Sequence, residues 1–128
     1  MNSSEILAIV VSYNGIQTTA DCVKALSEQV GGVLVVDNGS DEASLACLSP
    51  LLEEGRVTLE CLGSNHGIGY ALNVGARFAR AHGYRWVLTM DQDSLVDKSM
   101  IPLYIRAVEE HPAWVDRKST RLNSSHRL

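Results

Sequence analysis

The sequence predicts an α/β fold, a parallel sheet with helices on both faces, and three observations carry that reading. Short apolar runs such as Ile6-Leu7-Ala8-Ile9-Val10-Val11 and Val33-Leu34-Val35-Val36 lack in–out alternation, as strands covered on both faces do. These runs take turns with segments of helical periodicity in the order β-α-β-α-β-α-β-α, a pattern that specifies a parallel sheet. Each run also gives way to polar residues: Tyr13-Asn14, Asp37-Asn38, Asn65 with its glycines, and Asp91-Gln92-Asp93. In a parallel sheet all four ends lie on one edge, where ligands of such folds bind.

The elements follow in order. After the first strand, Ser12-Tyr13-Asn14-Gly15 is a turn signal, and Ile16, Ala20, Val23, Leu26 and Val30 make an amphipathic helix that Gly31-Gly32 should stop. The second strand ends at Asp37-Asn38-Gly39-Ser40. Asp41 and Glu42 then put negative charge in the first turn of a short helix, through Leu45 and Leu48, expected to end before Pro50. Val57-Thr58-Leu59-Glu60-Cys61-Leu62 alternates more than the others and reads as an edge strand. Tyr70 to His82 reads as a helix with Leu72, Ala76 and Ala79 on one face, Gly75 allowing close approach to the sheet, and Gly83 closing it. The run Tyr84-Arg85-Trp86-Val87-Leu88-Thr89-Met90 is the fourth strand, and Ser99 to Glu110 the last helix, with Pro102 in its first turn.

Composition is that of one globular domain: 128 residues, 45% hydrophobic and 20% charged. No apolar run approaches the roughly 20 residues of a membrane span, and the N-terminus has no basic signal-peptide region. The expected compartment is the cytoplasm. Cys22, Cys47 and Cys61 have no metal or redox spacing and are expected as reduced, mostly buried thiols. The last thirteen residues, 116–128, hold 4 of the 11 Lys and Arg but 1 of the 15 Asp and Glu, leaving 7 basic against 14 acidic side chains in residues 1–115. A basic nucleic-acid arm, a disordered linker and foreign sequence are the readings open to that stretch. Because Asp116-Arg117-Lys118-Ser119-Thr120-Arg121-Leu122-Asn123-Ser124-Ser125-His126 resembles the translation of a sequencing-adapter oligonucleotide, a non-native tail is preferred and no nucleic-acid partner is expected.

The strand ends suggest their chemistry. Asp91 and Asp93 repel one another unless a cation sits beside them. Two carboxylates without a His or Cys cluster suit Mg²⁺ or Mn²⁺, whose remaining ligands are water and phosphate oxygens. Asp37 and the amides of Asn14 and Asn38 could read a nucleobase edge, and Tyr13 offers a ring and a hydroxyl. Gly67 and Gly69 let backbone approach a ligand at a helix N-terminus. A nucleoside diphosphate held through a metal fits all of these together. His66 and His82 are read as surface residues, and Glu109 and Glu110 as the solvated end of a helix.

The motifs Val10-Val11-Ser12-Tyr13-Asn14-Gly15, Val35-Val36-Asp37-Asn38-Gly39-Ser40, Asn65-His66-Gly67-Ile68-Gly69-Tyr70-Ala71-Leu72-Asn73-Val74-Gly75 and Asp91-Gln92-Asp93-Ser94 together resemble the N-terminal half of glycosyltransferase family 2, over about residues 5–115. The Asp-Gln-Asp-Ser form behind a Tyr-Arg-Trp strand is most similar to the rhamnosyltransferase branch. The resemblance implies a GT-A, Rossmann-like fold and an inverting, metal-assisted transfer of L-rhamnose from dTDP-L-rhamnose to a saccharide or lipid-linked acceptor, at the inner face of the membrane where that acceptor is a lipid. By position it implies Tyr13 and Asn14 at the base pocket, Asp37 at the pyrimidine imide, and Asn38, Asn65 and Gly67 beside the nucleotide. Asp91 would lie near ribose and metal, with Asp93 the direct metal ligand. The general base, an acid in this family, is expected beyond Val115, so residues 1–115 would be a donor-binding part that does not turn over alone.

Rival readings lack their signatures. A nucleotidyltransferase would place a basic, glycine-rich loop after strand one, where Ser12-Tyr13-Asn14-Gly15 has no Arg or Lys. A dinucleotide-binding domain would place its glycine fingerprint there, whereas the nearest match, Gly67-x-Gly69, has Leu72 where the third glycine belongs. A phosphoacceptor domain needs acids at the end of strand one. An inert nucleotide-binding module remains the non-enzymatic alternative.

Overall fold

The computed structural model describes residues 1–111 and the backbone of 121–123. Strands β1 (Ile6–Ser12), β2 (Gly32–Asp37), β3 (Val57–Cys61) and β4 (Trp86–Asp91) alternate with helices α1 (Ile16–Ser27), α2 (Glu42–Leu52), α3 (Ile68–Ala81) and α4 (Met100–Glu110). A fifth strand, β5 (Arg121–Asn123), joins the sheet, whose order is β3-β2-β1-β4-β5, all pairs parallel. Three residues of the stretch expected to be a tail therefore lie on the sheet. Composition could not show this, because pairing along the free edge of β4 uses backbone groups alone. The remainder of 116–128 lies outside the described residues.

Successive side chains of a strand point to opposite faces, and the two cores follow that rule. Ile6, Ala8 and Val10 of β1 join Val33, Val35, Leu88 and Met90 under Val23 and Leu26 of α1, Leu48 and Leu51 of α2, and Ile101 and Val108 of α4. Leu7 and Ile9 join Leu34, Val36 and Val87 under Ala71 and Ala79 of α3. Both faces of β1 and β2 are thus covered, which is why these strands read as unbroken apolar runs. β3 lies at an edge, as its alternation suggested, with Thr58 and Glu60 exposed.

Three local expectations need correction. The buried stripe of α3 is Ala71, Gly75 and Ala79, while Leu72 and Ala76 flank it half-buried. A Cβ on Gly75 would sit 2.5 Å from Cδ1 of Ile9, so small residues bring this helix onto the sheet. Helix α1 ends at Ser27, before Gly31-Gly32. Those glycines make room: a Cβ at Gly31 would strike the Ser4 backbone, and one at Gly32 the Tyr84 hydroxyl. Helix α2 runs through Pro50 to Leu52. Proline in a last turn removes one helix hydrogen bond. Burying Leu51, worth about 1.5–3 kcal/mol, offsets that loss.

The end of α3 behaves as expected. Gly83 adopts φ +76°, its N–H donates to Arg80 O, and the Tyr84 N–H donates to Ala79 O at 3.0 Å, a Schellman closure. All three cysteines are free; Cys22 is buried, Cys47 half-buried and Cys61 exposed, so the expectation of mostly buried thiols holds for Cys22 alone. Among the described residues no helix is long and apolar enough to cross a membrane.

Candidate functional site

The chain leaves β1 toward β2 on one side and returns to β4 on the other, so the strand order reverses between β1 and β4. Such a switch point opens a crevice at the carboxyl ends of the strands. The register aligns those ends: Ser12 pairs with Asp37, and Val11 with Asp91. Every residue expected at the site lies on the loops or strand ends of this edge.

Asp37 closes β2 and is 1% exposed. A buried carboxylate must be hydrogen-bonded, and this one is saturated. Oδ1 accepts from Ser12 Oγ at 2.7 Å and from Ser40 Oγ; Oδ2 accepts from the N–H groups of Gly39 (3.1 Å) and Ser40 (2.8 Å). Gly39, at φ +96°, turns the chain so that these amides face back onto the acid, and a Cβ there would meet Ser64 Cα at 2.9 Å. Four donors fill the acceptor sites of a carboxylate. A nucleobase imide reaching Asp37 would take the place of one of the serine hydroxyls. Asn38, also buried, accepts from His66 N (3.2 Å) and donates to Gly67 O (3.4 Å), so its amide holds the β3–α3 loop in place. Asn65 Oδ1 accepts from Gly67 N at 2.8 Å. Gly67, at φ +85°, precedes α3, and a Cβ built at Gly67 or Gly69 would meet nothing within 4 Å, so the start of α3 faces open space. Both His66 and His82 are exposed, as expected, His66 stacking on Tyr70 with centroids 4.9 Å apart.

The turn after β1 is strained. Asn14 and Ile16 have φ of +51° and +46°, a conformation costing an L-residue on the order of 1–3 kcal/mol, most for β-branched Ile16. Neighbouring loops hold it from both sides. On the β2 side, Asn14 N donates to Ser40 Oγ (2.9 Å) and Asn14 Oδ1 accepts from Asp41 N (2.8 Å). On the β4 side, Gln92 Oε1 accepts from Tyr13 N (2.9 Å) and Thr19 Oγ1 (3.2 Å), and Gln92 Nε2 donates to Tyr13 O at 3.3 Å. The Tyr13 ring remains 49% exposed at the rim.

Asp91 and Asp93 are exposed on a tight turn closed by Ser94 N donating to Asp91 O at 3.1 Å. Among the described residues no hydrogen bond or ion pair engages either carboxylate. A groove of about 180 Å³, lined in part by Thr18, Cys22, Asp93 and Ser94, opens beside them. Burial first, and then the charges of Asp93 and Asp91, push the Cys22 thiol up to about 11. No group of three His, Cys, Asp or Glu gathers among the described residues. Two carboxylates with no described partner do not by themselves build a cage; a hard divalent cation held there would need further oxygen ligands, such as water or phosphate.

The structure thus brings Tyr13, Asn14, Asp37, Asn38, Asn65, Gly67, Asp91 and Asp93 to one edge, in two groups joined by the β1 loop. Asp37, Asn38 and Asn65 lie on one side, and the acid turn on the other. Sequence reasoning missed Ser12, Thr19, Ser40 and Gln92. Ser12 and Ser40 stood inside the quoted motifs; the turn after β2 brings the Ser40 hydroxyl onto Asp37, and the parallel register brings that of Ser12. Nothing in the spacing links Gln92 to Tyr13.

The architecture is that of an α/β domain whose polar loops collect at a switch point. The sequence profile described as Glycosyl transferase family 2 matches residues 7–126, and the chain belongs to that family. It is 33% identical over 100 residues to the dTDP-rhamnosyl transferase RfbF of Shigella flexneri, covering 77% of this chain and 33% of that protein. The fold is similar to the crystal structure of S. aureus TarS 1-349 (TM-score 0.67, 24% identity, 88% of this chain and 33% of that one) and to that of S. aureus TarS (TM-score 0.67, 23% identity, 88% and 20%). The chain spans about a third of the length of the curated relative it matches.

Proposed function

We propose that this chain forms the donor-binding part of an inverting glycosyltransferase that takes L-rhamnose from dTDP-L-rhamnose and passes it to a saccharide or lipid-linked acceptor. The carrying observation is the single edge on which a set of polar groups (Tyr13, Asn14, Asp37, Asn65) adjoins, across a switch point, two carboxylates with no described partner. The choice of thymidine nucleotide and rhamnose rests on the similarity to RfbF, a dTDP-rhamnosyl transferase.

In this reading the Tyr13 ring packs on the base. The Asp37 carboxylate accepts the imide N–H in place of a serine hydroxyl. The open backbone at Gly67 gives the nucleotide room beside the start of α3, while Asn38 keeps that loop in position. Asp91 and Asp93 would hold Mg²⁺ or Mn²⁺, which supplies Lewis-acid neutralisation of the diphosphate as it leaves. The acid that deprotonates the acceptor hydroxyl belongs to another part of the enzyme. Calorimetric titration with dTDP and NAD⁺, each with and without Mn²⁺, tests the reading. The expected result is dTDP binding that strengthens with Mn²⁺ and no binding of NAD⁺. NAD⁺ binding without metal, or dTDP binding indifferent to metal, overturns it.

A further inference from the structure

We propose that Gln92 is a positioning residue that ties the acid turn after β4 to the strained turn after β1, so that one side chain sets the Tyr13 ring relative to Asp91 and Asp93. The inference rests on the nucleotide reading of this edge and goes beyond it by giving a role to the residue between the two acids.

Among the described residues, all three hydrogen bonds of the Gln92 amide cross to the segment Tyr13–Thr19, two of them gripping both backbone groups of Tyr13. The strand pairing ends at Val11–Asp91, so past that level β1 and β4 have no ladder to keep their loops in register. The amide extends the connection by two residues, at the point where the backbone leaves its preferred conformation at Asn14 and Ile16. Gly15 accommodates this: a Cβ there would lie 2.5 Å from Gln92 Oε1 and would overlap Thr19 Oγ1. A longer residue at 15 would push the amide away, and a shorter one at 92 would leave the Tyr13 N–H and C=O without these partners. Gln92 therefore sets the base side of the site from the metal side.

The test uses thymidine, which carries neither phosphate nor metal, beside dTDP with Mn²⁺, on the full 128-residue chain. Gln92→Met keeps length and removes the amide; Gln92→Glu keeps the two acceptor contacts; Thr19→Val removes one contact without touching residue 92; Asp93→Ala is the metal-side control. Expected are thymidine affinity down about tenfold in Gln92→Met and about two- to threefold in Gln92→Glu and Thr19→Val, with Asp93→Ala unchanged for thymidine and weakened for dTDP. Hydrogen exchange of the Tyr13 amide should accelerate about tenfold or more in Gln92→Met. Unchanged thymidine affinity and unchanged Tyr13 exchange in Gln92→Met would overturn the proposal. Should Gln92→Met not fold, the same two readouts in Gln92→Glu and Thr19→Val decide. If the unaltered chain binds neither ligand, the nucleotide reading falls, and Tyr13 exchange alone then decides whether the tie exists.

Discussion

Ser12 Oγ donates to Asp37 Oδ1 at 2.7 Å, joining the last residues of β1 and β2 through a carboxylate that is almost wholly buried. The pair is aligned by the sheet itself, since Ser12 and Asp37 are direct register partners. It makes the floor of the candidate site a piece of the core, so the two effects of changing it are separable. Ser12→Ala removes one of four donors and is expected to cost about 1 kcal/mol. Asp37→Ala strands two hydroxyls and two amides, and is expected to cost about 3 kcal/mol or more. Urea unfolding midpoints rank the two, and equal costs would show that the carboxylate is not the hub.

Gly75 faces Ile9 so closely that a single added methyl should be felt. Alanine gains up to about 1 kcal/mol in helix propensity over glycine. Overpacking against Cδ1 and Cγ2 of Ile9, which would lie 2.5 and 2.9 Å from the new atom, costs about 1–3 kcal/mol. The second effect wins, so Gly75→Ala should destabilise, and Ile9→Ala combined with it should lose less than the two single costs added together. Thermal melts of the three variants measure this; a stabilised Gly75→Ala would refute the close approach.

Asp91 and Asp93 are exposed and engage no described partner, so alanine at either position should leave the unfolding free energy within about 0.5 kcal/mol of the unaltered chain. The same variants are expected to lose at least tenfold in dTDP affinity in excess Mn²⁺, with Asp93→Ala the more damaging. Calorimetry shows whether the metal-dependent increment disappears. Retention of that increment in the double variant excludes these acids as the cation's ligands.

Asp41 caps α2 by accepting from Ser44 N at 2.9 Å, and that backbone hydrogen bond holds its carboxyl below its ordinary 3.8. A carboxyl depressed in the folded state adds stability above its unfolded value and loses it as pH falls through the lower folded one. Helix α2 should therefore begin to fray only below about pH 3.8. Carboxyl chemical shifts followed with pH, together with the Ser44 amide, report the change. An Asp41 titration at or above its ordinary value would contradict the cap.

The fold was legible wherever burial wrote itself into the sequence. Unbroken apolar runs marked β1 and β2, the aromatic and apolar run Trp86–Met90 marked β4, and the alternating Val57–Cys61 marked an edge. What misled was local chemistry read without its surroundings: Pro50 looked like a stop until Leu51 had a core to enter, and Gly31-Gly32 looked like a cap rather than clearance for Ser4 and Tyr84. β5 carried no signal, because a strand added to a free edge needs no particular side chains. At the candidate site, the residue types and their edge were readable from the strand ends. The hydrogen bonds that organise them were not, since Ser12 meets Asp37 through sheet register and Gln92 meets Tyr13 in the loops beyond it, each across a long sequence separation.

The order of the strands also sets the order in which the molecule can be assembled. β1 pairs early with β2, its near neighbour in the chain, whereas its other flank waits for β4, with Ile6 meeting Trp86 only after most of the polypeptide has emerged. Contacts between distant segments form slowly because the loop must be closed first, and a chain being synthesised folds from its N-terminus. A nascent chain halted before Trp86 contains Ser12 and Asp37 but neither β4 nor the Asp91–Asp93 turn, so only one wall of the crevice has been made.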